Sequence, residues 1–150
     1  MQHAIDLAVA NVRQGLGGPF GAVVVSNGAI VGSGANAVTA TNDPTAHAEV
    51  VAIRAACLTL GSFQLTGCEI YTSCEPCPMC LGAIYWARLS RIYFAATRAN
   101  AAAAGFDDAH IYDELNLNPE ARSIPCSQLL PEHAEDAFRV WRETLRRVPY

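Results

Sequence analysis

The sequence predicts a three-layer α/β domain with a central mixed sheet, and three observations support this. Strand-like apolar runs alternate with helical segments along the chain, which is typical of helices packed on both faces of a sheet. Helical residues separate the last two strand-like runs, CEIYTS and RIYFAA, and this favours parallel pairing. The 150 residues are 51% hydrophobic, enough for one domain with a sizeable core. We therefore predict a single domain over residues 1–150.

The first half of the chain predicts a helix, a hairpin and a second helix. The first helix ends at the glycine cluster of residues 15–18. The runs PFGAVVV and AIVGSG flank the turn signal SNG, which predicts a β-hairpin. Asp43 followed by Pro44 predicts the N-cap and first residue of a helix that ends at Gly61. The apolar residues that predict the first helix by their spacing are Ala4, Ile5, Ala8, Val9 and Val12.

The second half of the chain predicts two more strands and two more helices. CEIYTS is typical of a buried strand, residues 78–87 of a helix, and RIYFAA of a further strand. Five apolar residues share one face of a last amphipathic helix. They are Ala134, Ala137, Phe138, Trp141 and Leu145.

Composition narrows the classes of partner. No apolar stretch is long enough to span a bilayer, and the first 15 residues lack the basic start of a signal peptide. We therefore expect a cytoplasmic protein that does not bind membranes, in which clustered cysteines indicate metal binding or catalysis. A net charge of −4 gives no general attraction to nucleic acids. A small-molecule partner is expected.

The segment SCEPCPMC, residues 73–80, is the first candidate for chemistry. Proline is favoured at the first position of a helix, so Pro78 places Cys77 at the N-cap and Cys80 one turn further along. The positive end of the helix dipole favours thiolates there, and two thiolates suit Zn²⁺. Cys74 precedes this turn and is expected to line the pocket.

A third metal ligand is predicted in the segment TAHAEV. Catalytic zinc usually has three protein ligands and an open position for water. His47 and Glu49 followed by Pro76–Cys80 match the H-x-E…P-C-x-x-C signature of zinc deaminases, in which the glutamate is the acid/base. We predict one Zn²⁺ per chain on His47, Cys77 and Cys80, with Glu49 as the catalytic acid/base.

An iron–sulfur cluster is the alternative use of these cysteines. It would add Cys74 as a ligand and would still need a fourth cysteine. We predict that Cys57, Cys68 and Cys126 are small core residues and not the missing ligand. A cluster would also leave His47 without a role.

The chain resembles the cytidine deaminase-like superfamily and, more closely, its bacterial guanine deaminases. The segments GGPFGAVVV, NDPTAHAEV and YTSCEPCPMCLGAIYWAR are shared in looser form with tRNA adenosine and cytosine deaminases, whereas AGFDD and the final PY point to guanine. The resemblance implies the cytidine deaminase-like fold and zinc-dependent hydrolysis of guanine to xanthine and ammonia in purine catabolism. It also implies a homodimer, in which the C-terminal helix and tail are candidates for exchange between subunits.

The resemblance further implies roles for individual residues. Glu49 would move protons between water, N3 of guanine and the departing amine. Asp108 would be a second catalytic carboxylate, which binds the substrate near that amine. Asn36 would hydrogen-bond the purine edge. On the sequence alone Asn36 is better explained as a turn residue, and Asp108 as a solvated acid. The other implied substrate contacts are Phe20, Ala48, Trp86 and Tyr150.

Four other functions remain open from the sequence. A guanosine or cytosine deaminase would keep the zinc site and change the pocket. A tRNA adenosine deaminase would need a basic face, and the one cluster of positive charge, RETLRR, is better explained as a helical surface. A non-catalytic zinc-binding module would have no need of Glu49.

Overall fold

The computed structural model describes residues 1–150, which form two units, Met1–Asp108 and Ala109–Tyr150. A four-stranded mixed sheet is the centre of the first unit. Strand β1 pairs antiparallel with β2 and β3, while β3 and β4 are parallel. The strand order is β2-β1-β3-β4, where the strands are β1 Gly21–Ser26, β2 Ala29–Ala35, β3 Glu69–Cys74 and β4 Arg91–Ala96.

Helices cover both faces of this sheet. The helices of the first unit are α1 Gln2–Arg13, α2 Val38–Thr41, α3 Ala48–Leu60, α4 Pro78–Trp86 and α5 Arg98–Ala103. Side chains alternate along β1, so Ala22 and Val24 join the core beneath α3 and α4, while a Cβ at Gly21 would meet α1. The three-layer arrangement, the hairpin and the parallel later strands are as the sequence predicts.

Two glycines of β2 let α3 approach the sheet closely. A Cβ at Gly32 would collide with the carbonyl oxygen of Ala52, and a Cβ at Gly34 with that of Ala48. The first turn of α3 therefore lies directly on the strand. This close packing fixes the position of His47 and Glu49, which stand at the start of α3.

The predicted start of α3 was wrong. The helix begins at Ala48, and His47 is its N-cap, with an extended backbone of φ −68° and ψ 154°. The Asp43 carboxylate instead accepts hydrogen bonds from the backbone N–H and hydroxyl of Thr45, at 2.8 and 2.6 Å. An Asp side chain that closes such a local turn competes with helix capping. The predicted end is confirmed, because Gly61 adopts the left-handed conformation with φ 60°.

The second unit contains α6 Ala109–Leu115, a 3₁₀ turn at Pro119–Ala121 and α7 Pro131–Glu143. None of its residues is buried. Leu145 was predicted on the last helix but lies beyond its end and is 99% exposed. The hydroxyl of Thr144 bonds back to the carbonyl of Val140 at 2.8 Å, and the Thr144 backbone turns extended. The prediction of one domain over residues 1–150 stays a prediction.

No helix in the chain combines the length and apolarity that crossing a membrane would require.

Candidate active site

Three predicted metal ligands come together where two helices begin. The donor atoms of His47, Cys77 and Cys80 all lie within 4.8 Å of one another. His47 Nδ1 is 3.6 Å from Cys77 Sγ and 3.5 Å from Cys80 Sγ. Zinc bonds of about 2.0–2.1 Å to nitrogen and about 2.3 Å to sulfur, at a tetrahedral angle, place N and S roughly 3.6 Å apart. The residues present therefore fit Zn²⁺.

Local structure explains why these side chains meet. Cys77 is the N-cap of α4 and Pro78 its first residue, as predicted, and Cys80 is fully buried in the first turn. His47 holds the equivalent N-cap position on α3. Two helix starts thus deliver one ligand each, and the turn of α4 supplies the third.

The pKa values of the Cys77 and Cys80 thiols are shifted in opposite directions. A hydrogen bond from the Cys80 thiol, followed by one from His47, lowers the pKa of Cys77 to about 4 despite partial burial. The same bond to Cys77, together with burial, raises the pKa of Cys80. The hydrogen bond to Cys77 also raises the pKa of His47. One thiolate is favoured by the protein alone, and a coordinating metal deprotonates both.

Glu49 stands beside this cluster in the first turn of α3. It is 7% exposed, and burial is the largest cause that raises the pKa of its carboxyl. Glu49 and His47 both line the same cavity. A carboxyl held in this way is suited to general acid–base chemistry near neutral pH.

The cavity over the metal cluster has a volume of about 630 Å³, which is within the usual range for small-molecule sites. Its walls include Phe20, Asn36, Cys74 and Asp108, all anticipated from the sequence. Burial is the largest cause that raises the pKa of Asp108, with the charge of Cys77 adding to it. The cavity lies wholly within the first unit.

Three predicted substrate residues lie outside this cavity wall. The Ala48 side chain is 1% exposed and belongs to the core, because α3 packs tightly onto β2. Trp86 ends α4 and is 70% exposed. Tyr150 belongs to the second unit and is 71% exposed. Their contacts with substrate stay predictions.

The structure adds wall residues that sequence reasoning missed. Phe106 meets Phe20 edge to face, with ring centroids 5.0 Å apart and an interplanar angle of 86°. Glu75 accepts a hydrogen bond from the backbone N–H of Arg98 at 3.0 Å, and both line the cavity. The signal was available, since Phe106 is part of AGFDD and Glu75 of SCEPCPMC.

The other cysteines are less uniform than predicted. Cys68 is buried, Cys57 is half-buried and Cys126 is exposed. The prediction of a core position was wrong for Cys126, because the second unit has no buried residue.

Comparison with known proteins identifies the family. Residues 1–96 match the cytidine and deoxycytidylate deaminase zinc-binding region. The chain belongs to this deaminase family. Its membership agrees with the resemblance of the sequence and with the His/Cys/Cys cluster, and the protein is accordingly a zinc-dependent hydrolase with one Zn²⁺ per chain.

Relatives within the family cover almost the whole chain. Guanine deaminase of Bacillus subtilis (strain 168) is 54% identical over 100% of this chain and 96% of its own length. The X-ray structure of the B. subtilis guanine deaminase superposes with a TM-score of 0.97 at 52% identity, over 99% of this chain and 95% of that one. A third protein, solved in complex with 2,6-diaminopurine, is 30% identical with a TM-score of 0.68, over 99% and 82% of the two chains.

Proposed function

We propose that the protein is a guanine aminohydrolase that converts guanine and water into xanthine and ammonia. The observation that carries this proposal is the 54% identity to B. subtilis guanine deaminase over the full chain. The structure adds further support, because it contains a cavity of about 630 Å³, which is large enough for a purine base. Glu49 lies in its wall together with His47 and Cys77 of the metal cluster.

His47, Cys77 and Cys80 are the residues that would hold the metal. When bound, Zn²⁺ makes a water molecule acidic enough to act as a nucleophile at neutral pH. The thiolates of Cys77 and Cys80 suit this ion, and His47 completes the three protein ligands that catalytic zinc sites use.

Glu49 carries the protons of the reaction. Its carboxylate accepts a proton from water, and passes it to N3 of guanine while the water oxygen bonds to C2. The second proton of that water then reaches the exocyclic nitrogen by way of Glu49, and the C2–N bond breaks to release ammonia. Burial at 7% exposure keeps bulk water from competing for these protons.

The far walls of the cavity would hold the purine. Phe20 and Phe106, which meet edge to face, offer apolar ring surface to a planar base. Asn36 is 8% exposed and offers a polar contact to the purine edge. Asp108 accepts N–H groups of the base on the side of Cys77, whose charge already affects the Asp108 carboxyl.

We also propose a cytoplasmic homodimer that acts in purine catabolism and exchanges the C-terminal segment. None of the six cysteines forms a disulfide, in keeping with a reducing compartment. The apolar face of α7 carries Phe138 and Trp141 at 58% and 41% exposure, and such a face normally packs against another surface. Trp86 and Tyr150 would then contact substrate in the assembled dimer. Light scattering on the purified protein tests this, and a monomer at working concentration would contradict it.

The experiment that tests the activity is a substrate panel. Purified protein is incubated with guanine, guanosine, cytosine and a tRNA that carries the target adenosine, and the released ammonia is measured. We expect ammonia and xanthine from guanine, with far slower release from the others. Release from another member of the panel but not from guanine would contradict the proposal, and inactivity on all four would favour a non-catalytic zinc module.

A further inference from the structure

A buried asparagine on α1 connects residues that line the cavity over the metal cluster. Asn11 is 5% exposed and lies outside every motif that identified the metal site. Its side-chain nitrogen donates to the carbonyl of Gly18 at 2.9 Å and to the carbonyl of Asn36 at 2.8 Å. Asn36 is 25 residues away along the chain. The two bonds link α1 to the glycine loop, residues 15–18, and to Asn36 at the end of β2.

The same network fixes the amide of Asn36. Its side-chain oxygen accepts from the backbone N–H groups of Gly18 and Val38, each at 3.3 Å. Backbone N–H groups can only donate, so this oxygen is identified without ambiguity. Both of its lone pairs are engaged, and the amide N–H donors are the groups of Asn36 left for a ligand. Asn36 therefore presents donors to the cavity it lines.

The glycine loop, residues 15–18, couples Asn11 to Asn36 by contact as well as by hydrogen bonds. A Cβ at Gly17 would collide with the Asn36 carbonyl and come within 3.0 Å of Asn11 Nδ2. The Gly18 carbonyl that accepts from Asn11 also accepts from the backbone N–H of Phe20 at 2.9 Å. The Asn11 side chain thus fixes the relative positions of the glycine loop, Asn36 and Phe20.

We infer that Asn11 is a positioning residue for purine recognition, acting through the glycine loop to hold Asn36 with its donors toward the base. This inference rests on the proposed function, because it assumes that Asn36 contacts a purine. Asn11 itself touches no substrate. Removing it should loosen the orientation of Asn36 and leave the metal cluster, on α3 and α4, unchanged.

A double-mutant cycle tests the inference. Asn11→Leu keeps the approximate size of the side chain and removes both donors, and Asn36→Ala removes the group that it positions. Net hydrogen bonds of this kind are worth roughly a tenfold change in an equilibrium constant. We expect each single variant to raise the KM for guanine about tenfold with kcat changed less than about threefold. Asn11→Leu should add less than about twofold in the Asn36→Ala background, because the two act as one unit.

Three further measurements separate positioning from general damage. Ala8→Gly, at a 6% exposed position of α1, weakens the same helix without touching the Asn11 hydrogen bonds and should leave KM within about twofold. Zinc content should stay at wild-type level in every variant. Guanine affinity, measured in a Glu49→Gln background, should fall about tenfold on adding Asn11→Leu, without relying on turnover.

The outcomes are distinguishable. Wild-type KM in Asn11→Leu, or fully additive effects in the cycle, would overturn the inference and leave the proposed function intact. Failure of the wild-type protein to deaminate guanine would instead overturn the proposed function. If Asn11→Leu does not fold, Asn11→Ser retains one small donor and is measured in the same cycle, with the same criterion of non-additivity.

Discussion

Replacing Glu49 with glutamine tests the chemistry most directly. The substitution preserves the shape of the side chain, which is 7% exposed, so it opens no cavity in the core. Zinc occupancy should be unchanged, because Glu49 is outside the His47, Cys77 and Cys80 cluster. A glutamine amide cannot shuttle protons. We expect turnover to fall by roughly 10²–10⁴-fold or more, the usual contribution of a positioned acid/base.

The size of the expected fall in turnover depends on the other carboxyl groups in the cavity. A reduction of 10²–10⁴-fold corresponds to about 3–5 kcal/mol in the activation barrier. Asp108 is a second carboxyl in the same wall, with a raised pKa, and it can supply a weak substitute that limits the loss. Glu75→Gln is the matched control. Its amide oxygen can still accept the 3.0 Å bond from the Arg98 N–H, so turnover should fall less than about tenfold.

The assay combines three measurements on the same preparations. Ammonia release gives kcat and KM, metal analysis gives zinc per chain, and thermal melting reports the fold. A Glu49→Gln enzyme with near wild-type turnover would refute the assignment of the proton carrier, and Asp108 would be the next candidate. Loss of zinc in this variant would instead make Glu49 part of the metal site.

Three more predictions concern the metal, the tail and the fold. Metal analysis should find about one zinc per chain, strongly reduced in a His47→Ala, Cys77→Ala double variant, and iron with labile sulfide would contradict the site. Deleting residues 148–150 should leave zinc and Tm nearly unchanged, since Val148 and Tyr150 are 61% and 71% exposed. The deletion should reduce guanine turnover or relax selectivity toward guanosine, because Tyr150 is proposed to contact substrate, and wild-type kinetics on both would contradict that contact. Gly34→Ala should lower the free energy of unfolding by about 1–3 kcal/mol in denaturant unfolding, because the added Cβ meets the backbone of α3. The control Gly82→Ala, with open space at its Cβ, should be neutral or stabilising. Equal effects of the two substitutions would show that β2 and α3 are not tightly packed.

The metal centre could be predicted from sequence because its determinants are local. Cys77, Pro78 and Cys80 specify a helix start and its ligands within four residues, and His47 needed only the paired motif. The start of α3 could not be predicted in the same way. Asp43 is as suited to a local turn as to a helix cap, and the choice was made by packing of Ala48 and its neighbours against β2.

The positioning network was beyond local reasoning. An asparagine in an amphipathic helix carries no signal of its partners, and those of Asn11 lie 7 and 25 residues away. Phe106 shows an intermediate case, since its segment was recognised while its contact with Phe20 was not. Sequence spacing therefore predicted the metal cluster, and the three-dimensional structure was needed to find the hydrogen bonds that hold Asn36.

The convergence of two helix starts on one cluster also sets its overall charge. Each helix N-terminus contributes roughly half a positive charge, so α3 and α4 together supply about one. With zinc bound, two thiolates would balance the divalent ion, and the carboxylate of Glu49 would balance the helix ends. The sum of these charges would be close to zero, so an uncharged base could enter and neutral ammonia could depart without separating charge.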